Sequence, residues 1–169
     1  GPEMRSTGEV MGLGPSFPVA FHKAMLAAGT ELPDQGTAFV SVKDSDKAAA
    51  TEVARQLVAH GFRLVATRGT AKALARAGLH AATVHKVTDG ERPHVVDVLR
   101  EGGIHLVINT TQGAQAIRDS RSLRRQTLLS GVPYFTTMAA ASAVAALQAR
   151  RTQPLHVQAL QEAQGPAAA

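Results

Sequence analysis

Cysteine and tryptophan are absent from this chain, and tyrosine occurs once. Without cysteine there is no disulfide scaffold, no thiolate metal site and no cysteine nucleophile. Aromatics make up only 4% of the residues, so the stacking platforms of single-strand nucleic-acid binders are poorly supplied. No apolar run approaches the ~20 residues that a membrane-spanning helix needs. Phosphate-binding glycine motifs are missing too: there is neither a Walker A loop nor a complete G-x-G-x-x-G. The seven histidines are scattered without metal-ligand spacing, and no serine lies in a nucleophile-elbow pattern.

What is present fits one globular domain. The chain has 169 residues, 44% hydrophobic and 18% charged, which argues against intrinsic disorder. A chain of this size buries roughly 68–70% of the surface its unfolded form exposes. The formal charge of +5 suggests an anionic partner. Much of the excess lies in Arg118, Arg121, Arg124, Arg125, Arg150 and Arg151, which is expected to be a solvated helix face rather than a nucleic-acid patch.

Gly1-Pro2 has the form of a tag-cleavage scar. The abrupt opening from Glu3 suggests a piece of a longer polypeptide, and residues 162–169 are expected to be disordered. Between Ser16 and Gly29, the residues Phe17, Ala20, Phe21, Ala24, Met25 and Ala28 fall on one helical face, and Leu32 to Gly36 make a turn or linker.

From Gly36 onward, short apolar runs alternate with helical ones. Strands are expected at 37–42, 62–66, 83–85, 104–108 and 132–135. The first helix presents Ala50, Val53, Ala54, Leu57 and Val58 on one face and ends at Gly61. Further helices are expected over 71–77, stopped by Gly78, and after Pro93, which suits a first helical turn. A basic helix is expected over 119–130 and an alanine-rich one over 139–149. Five such alternations predict a three-layer, Rossmann-like α/β sandwich: a five-stranded parallel sheet with helices on both faces.

In a parallel sheet the carboxyl ends of the strands share one edge, where ligands of open α/β sheets bind. The residues after each strand are therefore informative. Lys43 to Lys47 follow the first strand, Thr67-Arg-Gly-Thr70 the second, Lys86 the third, Asn109-Thr-Thr-Gln-Gly113 the fourth, and Thr136-Thr137 the fifth. Lys, Thr, Asn and Gly at these tips suit a small anion with several oxygens. Lys47 falls in a first helical turn, where the macrodipole disfavours a cation and a docked anion would reverse the sign. Gly69 allows close backbone approach, and the flanking hydroxyls can cradle a phosphate. Each piece also has a plain reading, as a tolerated surface lysine, ordinary turn residues, or strand punctuation by Asn109. Asp44, Asp46 and Asp89 are candidate bases, and Asp44 and Asp46 read equally well as helix caps.

The segments Ser6-Thr-Gly-Glu-Val-Met-Gly12, Ser41-Val-Lys-Asp-Ser-Asp-Lys47, Ala66-Thr-Arg-Gly-Thr-Ala71, Gly90-Glu-Arg-Pro-His94, Ile108-Asn-Thr-Thr-Gln-Gly113 and Ile117-Arg-Asp-Ser-Arg-Ser-Leu-Arg-Arg125 carry a resemblance. Together, from about Met4 to about Gln161, they resemble the C-terminal end of the large subunit of carbamoyl phosphate synthetase. The resemblance implies that residues 3–35 close the synthetase half and that 36–161 form a methylglyoxal-synthase-like effector domain. It implies a cytoplasmic parent ligase, glutamine-hydrolysing, that makes carbamoyl phosphate for pyrimidine and arginine biosynthesis. That parent uses ATP with magnesium or manganese, with potassium a further candidate ion; none of these is expected as a cofactor of this portion. Implied partners are the rest of the same chain, the glutaminase small subunit and further copies in an oligomer, with neither nucleic acid nor membrane among them.

By the same resemblance, UMP inhibits and IMP activates through Lys47, Thr67, Thr70, Lys86, Asn109 and Thr111, all of which keep the family's residue type. Lys47, Thr67 and Thr70 would hold the phosphate, Lys86 would add charge, and Asn109 and Thr111 would close the phosphate end or meet the sugar. An ornithine-side segment maps onto Tyr134-Phe135-Thr136; the family's aspartate is replaced there, so Tyr134 and Thr136 alone are candidates and no measurable ornithine binding is expected. Two related enzymes are alternatives. In methylglyoxal synthase the base is an aspartate whose aligned position here is Arg92, which stays protonated, and its histidine is replaced at Arg118-Asp119. IMP cyclohydrolase shares the Thr-x-Gly-Thr-Ala turn. An interaction module with an unused pocket is the third alternative.

Overall fold

The computed structural model describes Met25 and residues 31–151. The chain runs β1 (Gly36–Ser41), a 3-10 turn (Asp44–Asp46), α1 (Lys47–Ala59), β2 (Phe62–Ala66), α2 (Arg68–Arg76) and β3 (Ala82–Thr83). A second 3-10 turn (Val87–Asp89), α3 (Val95–Arg100), β4 (Leu106–Asn109), α4 (Gly113–Asp119), α5 (Arg121–Ser130), β5 (Tyr134–Phe135) and α6 (Met138–Arg151) follow. The five strands form one sheet in the order β3-β2-β1-β4-β5, and every pairing is parallel. This is the expected α/β class.

Strand alternation divides the core between the two faces of the sheet. From β1, Ala38 and Val40 point one way; from β2, Phe62, Leu64 and Ala66 do, and from β4, Leu106 and Ile108. They pack against Ala50, Val53, Ala54 and Leu57 of α1, Leu74 of α2, and Ala141, Val144 and Ala145 of α6. Phe39 and Val107 point the other way, onto Val95, Val96 and Leu99 of α3 and Leu123 of α5. Strands buried on both sides read as continuous apolar runs, which is why β1 and β4 stand out in the sequence. After β1 the chain winds outward through β2 and β3, then returns to the other side of β1 for β4 and β5. Opposite winding with one handedness of crossover puts α1 and α2 on one face and α3 and α5 on the other. The two halves part between β1 and β4, at a topological switch point.

Several boundaries depart from the sequence expectation. α2 begins at Arg68, not at Ala71, because the Thr-x-Gly-Thr turn is itself the first helical turn. Pro93 precedes α3 instead of opening it; His94 is the N-cap, its ring accepting from the Asp97 N–H. The basic helix expected over 119–130 is α5, and a further helix that the sequence did not announce, α4, precedes it, the two meeting at Ser120. Strand β3 is confined to Ala82–Thr83, with His85 bridged to His94 beyond it, and β4 starts two residues late. Val58, expected on the buried face of α1, is 41% exposed. The helix expected over Ser16–Gly29 lies outside the described residues apart from Met25, which is helical and buried in the core; the expected tail also lies outside them.

Candidate functional site

The polar strand tips meet at the switch point. There a cleft of about 380 Å³ opens at the carboxyl edge of the sheet, between β1, β2 and β4. All six sequence-derived candidates line it: Lys47, Thr67, Thr70, Lys86, Asn109 and Thr111. Ser41, Lys43, Gly69, Thr110 and Gln112 line it with them, as do Asp44 and Asp119. Part of the floor is apolar, from Phe39, Val42, Val87, Val95 and Leu123.

Helices α1 and α2 begin at this rim. Thr67 is the N-cap residue of α2, yet its hydroxyl does not cap the helix; it hydrogen-bonds the Ser41 hydroxyl at 3.0 Å, tying the tip of β2 to that of β1. Thr70, 2% exposed, accepts the Val42 N–H through its Oγ1 at 3.1 Å. Accepting that bond leaves the Thr70 O–H to donate elsewhere. On the far side Thr110 Oγ1 accepts the Lys43 N–H at 3.1 Å, fastening the tip of β4 to that of β1. The cradle is thus braced by hydroxyls before any ligand arrives.

Charge is arranged across the same rim. Lys47 opens α1, and its Nζ donates to Asp44 Oδ1 from the preceding turn. The hydrogen bond from Lys47, and then its charge, hold the Asp44 carboxyl below the usual carboxylate range. A Cβ placed on Gly69 would lie 3.4 Å from Lys47 Nζ, so the ammonium rests beside the bare backbone at the start of α2. Lys86 is exposed on the third strand tip, where its N–H donates to Asp89 Oδ2 at 2.8 Å. Asp89, one of the candidate bases, is therefore occupied with its own turn.

Asn109 is 5% exposed, and its Nδ2 donates to Ser120 Oγ at 3.0 Å and to Tyr134 Oη at 2.8 Å. Of the two ornithine-side candidates, Tyr134 walls a second cavity with Met25, Glu31, Arg124 and Thr127. Thr136 is exposed and lines neither cavity. Arg92 lies outside the cleft, paired with Asp97 at 3.2 Å. Among the described residues no group of His, Asp and Glu could hold a metal ion, and no helix is long and apolar enough to cross a membrane.

Sequence reasoning alone gave no site role to Ser41 or Ser120, and marked Thr110 only as part of the fourth strand tip. Their roles depend on cross-strand contacts, and the only available signal was their position at strand tips or a helix break.

Known proteins share this frame. The family described as "MGS-like domain" matches residues 49–136. The chain is 53% identical over 163 residues to the carbamoyl phosphate synthase large chain of Myxococcus xanthus (strain DK1622), covering 96% of this chain and 15% of that one. Against the protein of the same name from Brucella suis biovar 1 (strain 1330), it is 51% identical over 163 residues, covering 96% and 14%. The chain therefore spans only 14–15% of the length of these relatives. Among solved structures, methylglyoxal synthase from Elizabethkingia anophelis NUHP1 superposes with a TM-score of 0.54 at 18% identity, over 73% of this chain and 81% of that one. At that identity the likeness shows a shared fold. On the family match, the chain belongs to the MGS-like domain family.

Proposed function

We propose that this chain is the regulatory domain of a carbamoyl phosphate synthase large chain, and that it binds the phosphate end of a nucleoside monophosphate effector, UMP or IMP. One observation carries the reading: two lysines, three threonines and an asparagine from separate strand tips line a single cleft of about 380 Å³. Lys47, the hydroxyls of Thr67 and Thr70, and the uncapped start of α2 supply charge and donors for phosphate oxygens. Lys86 adds positive charge, and Asn109 and Thr111 stand at the sugar side. An apolar floor without an aromatic stacking pair suits loose reading of the base, as a pocket for both a purine and a pyrimidine nucleotide requires. In the parent enzyme, which makes carbamoyl phosphate, occupancy of this cleft would shift the balance between more and less active states, by its differential affinity for the two.

The cleft is better equipped to bind than to abstract protons. Asp44 is held in its ionised form by Lys47, which makes it a weak base, and Asp119 accepts from Gln115 Nε2 at 2.8 Å. Thermal unfolding with UMP, IMP and uridine at matched concentrations tests the proposal. A ligand at a hundred times its dissociation constant adds about 2.7 kcal/mol of stability. UMP or IMP should raise the midpoint and uridine should not, and Lys47→Ala should remove most of the gain. Equal shifts with uridine, or none with any ligand, would rule the phosphate cradle out.

A further inference from the structure

Asn109 differs from the other polar residues of the cleft in how it is held. Its side chain is buried, and both Nδ2 hydrogens are committed to hydroxyl oxygens, Ser120 Oγ at 3.0 Å and Tyr134 Oη at 2.8 Å. A side-chain amide offers two donors and one acceptor oxygen, so with both donors used only the carbonyl is left. Among the described residues no hydrogen bond reaches that Oδ1, although the residue forms part of the cleft wall. A buried acceptor without a partner costs free energy unless something supplies a donor.

Ser120 gives up a local role to do this. It stands between α4 and α5 at the N-cap position of α5, where a serine hydroxyl ordinarily accepts a helix N–H. Here the side chain makes no capping bond and turns to Asn109 instead. Tyr134 reaches Asn109 from the neighbouring strand β5, 25 residues away in sequence. Its ring meanwhile walls the second cavity, with the Arg124 guanidinium 6.0 Å from the ring centroid.

We infer that Tyr134 and Ser120 are positioning residues for the effector cleft: their hydroxyls fix the Asn109 amide so that its carbonyl oxygen, an acceptor, faces the ligand. The consequence is a polarity. An acceptor wall repels phosphate oxygens and favours a ligand hydroxyl or N–H. The phosphate is then confined to the Lys47 side, and the nucleoside part is drawn to the Asn109 side. This rests on the proposal that the cleft holds a nucleoside monophosphate.

Calorimetric titration of the intact chain with two probes, UMP and inorganic phosphate, tests it in the wild type, Tyr134→Phe and Ser120→Ala. Each variant loses one hydroxyl and little volume. The expected result is UMP affinity lower by about five-fold in each variant, with phosphate affinity unchanged. Because the chain has a single tyrosine, the ring resonances of selectively labelled Tyr134 give a second readout. They should shift with UMP, stay in place with inorganic phosphate, and lose the UMP response in Asn109→Ala. UMP affinity unchanged in both variants, or equal losses for UMP and phosphate, overturns the inference while the cleft's function stands. A wild-type chain that holds neither probe removes the cleft's function and the inference together.

Discussion

Lys47 enters the cleft already paired. A cation at the first residue of α1 opposes the helix dipole, and Asp44, one turn earlier, supplies the compensating charge. The pairing explains the unusual position without a ligand, and it also makes Asp44 a competitor of any phosphate that approaches Lys47. The depressed carboxyl pKa fixes the sign of the pH effect. A group lowered on folding contributes stability above its unfolded pKa and loses it as the pH falls through the folded value. The Asp44 carboxylate is exposed, so that contribution is small. A phosphate that takes Lys47 away lets the Asp44 pKa climb back toward its ordinary range, and binding then takes up protons at acid pH. Asp44→Asn should bind phosphate monoesters a few-fold more tightly in low salt, with the advantage shrinking as salt is added. Calorimetry across a salt series decides it; weaker binding by the variant would mean that Asp44 holds Lys47 in its working position.

At the scale of elements, the start of α2 carries a trade between stability and binding. Gly69 lies in the first turn with no positive φ, so alanine fits the backbone there. Replacing a helical glycine by alanine stabilises by roughly 0.5–1 kcal/mol, or roughly 1–4 °C in thermal midpoint for a domain of this size. The added methyl would lie 3.4 Å from Lys47 Nζ, on the side where a phosphate must reach the helix N–H groups. Gly69→Ala is therefore expected to unfold at a higher temperature and to bind UMP more weakly. A variant that is more stable and binds unchanged would show that the phosphate does not rest on α2.

The same helix shows how far the sequence could be read. The buried strands were legible because β1, β2 and β4 are short apolar runs ended by polar residues. The six cleft residues were legible because parallel strands bring their tips to one edge. The start of α2 was not, since Thr67-Arg-Gly-Thr70 has the composition of a turn and yet forms the first turn of the helix. The break at Ser120 carries no glycine or proline to announce it. What holds it is the bond to Asn109, eleven residues earlier, and no periodicity encodes such a contact. Likewise the bond between Thr110 and the Lys43 N–H joins residues 67 apart.

Across the whole molecule, the cleft lies where the winding of the sheet changes direction, so its walls come from both halves of the fold. β1 and β2 with the starts of α1 and α2 make one wall; β4 with Ser120 makes the other; the Lys86 loop closes the outer side. A ligand that spans the cleft links segments far apart in sequence, and this separates it from an anion that merely settles on one helix terminus. Hydrogen exchange reads the difference, because amides are protected by the free energy of the opening that exposes them. With UMP, protection should rise together in residues 41–47, 67–71, 86–88 and 109–112. It should leave residues 50–59 of α1 unchanged, since none of them lines the cleft. Inorganic phosphate should protect only 41–47 and 67–71, the side where Lys47, Thr67 and Thr70 converge. Protection by UMP confined to 67–71 would reduce the site to the start of α2 and take β4 out of the binding surface. Protection in all four segments would make the two halves of the sheet a single unit when the ligand is bound. An effector could then act on the rest of a longer chain by stiffening the domain, without reshaping it.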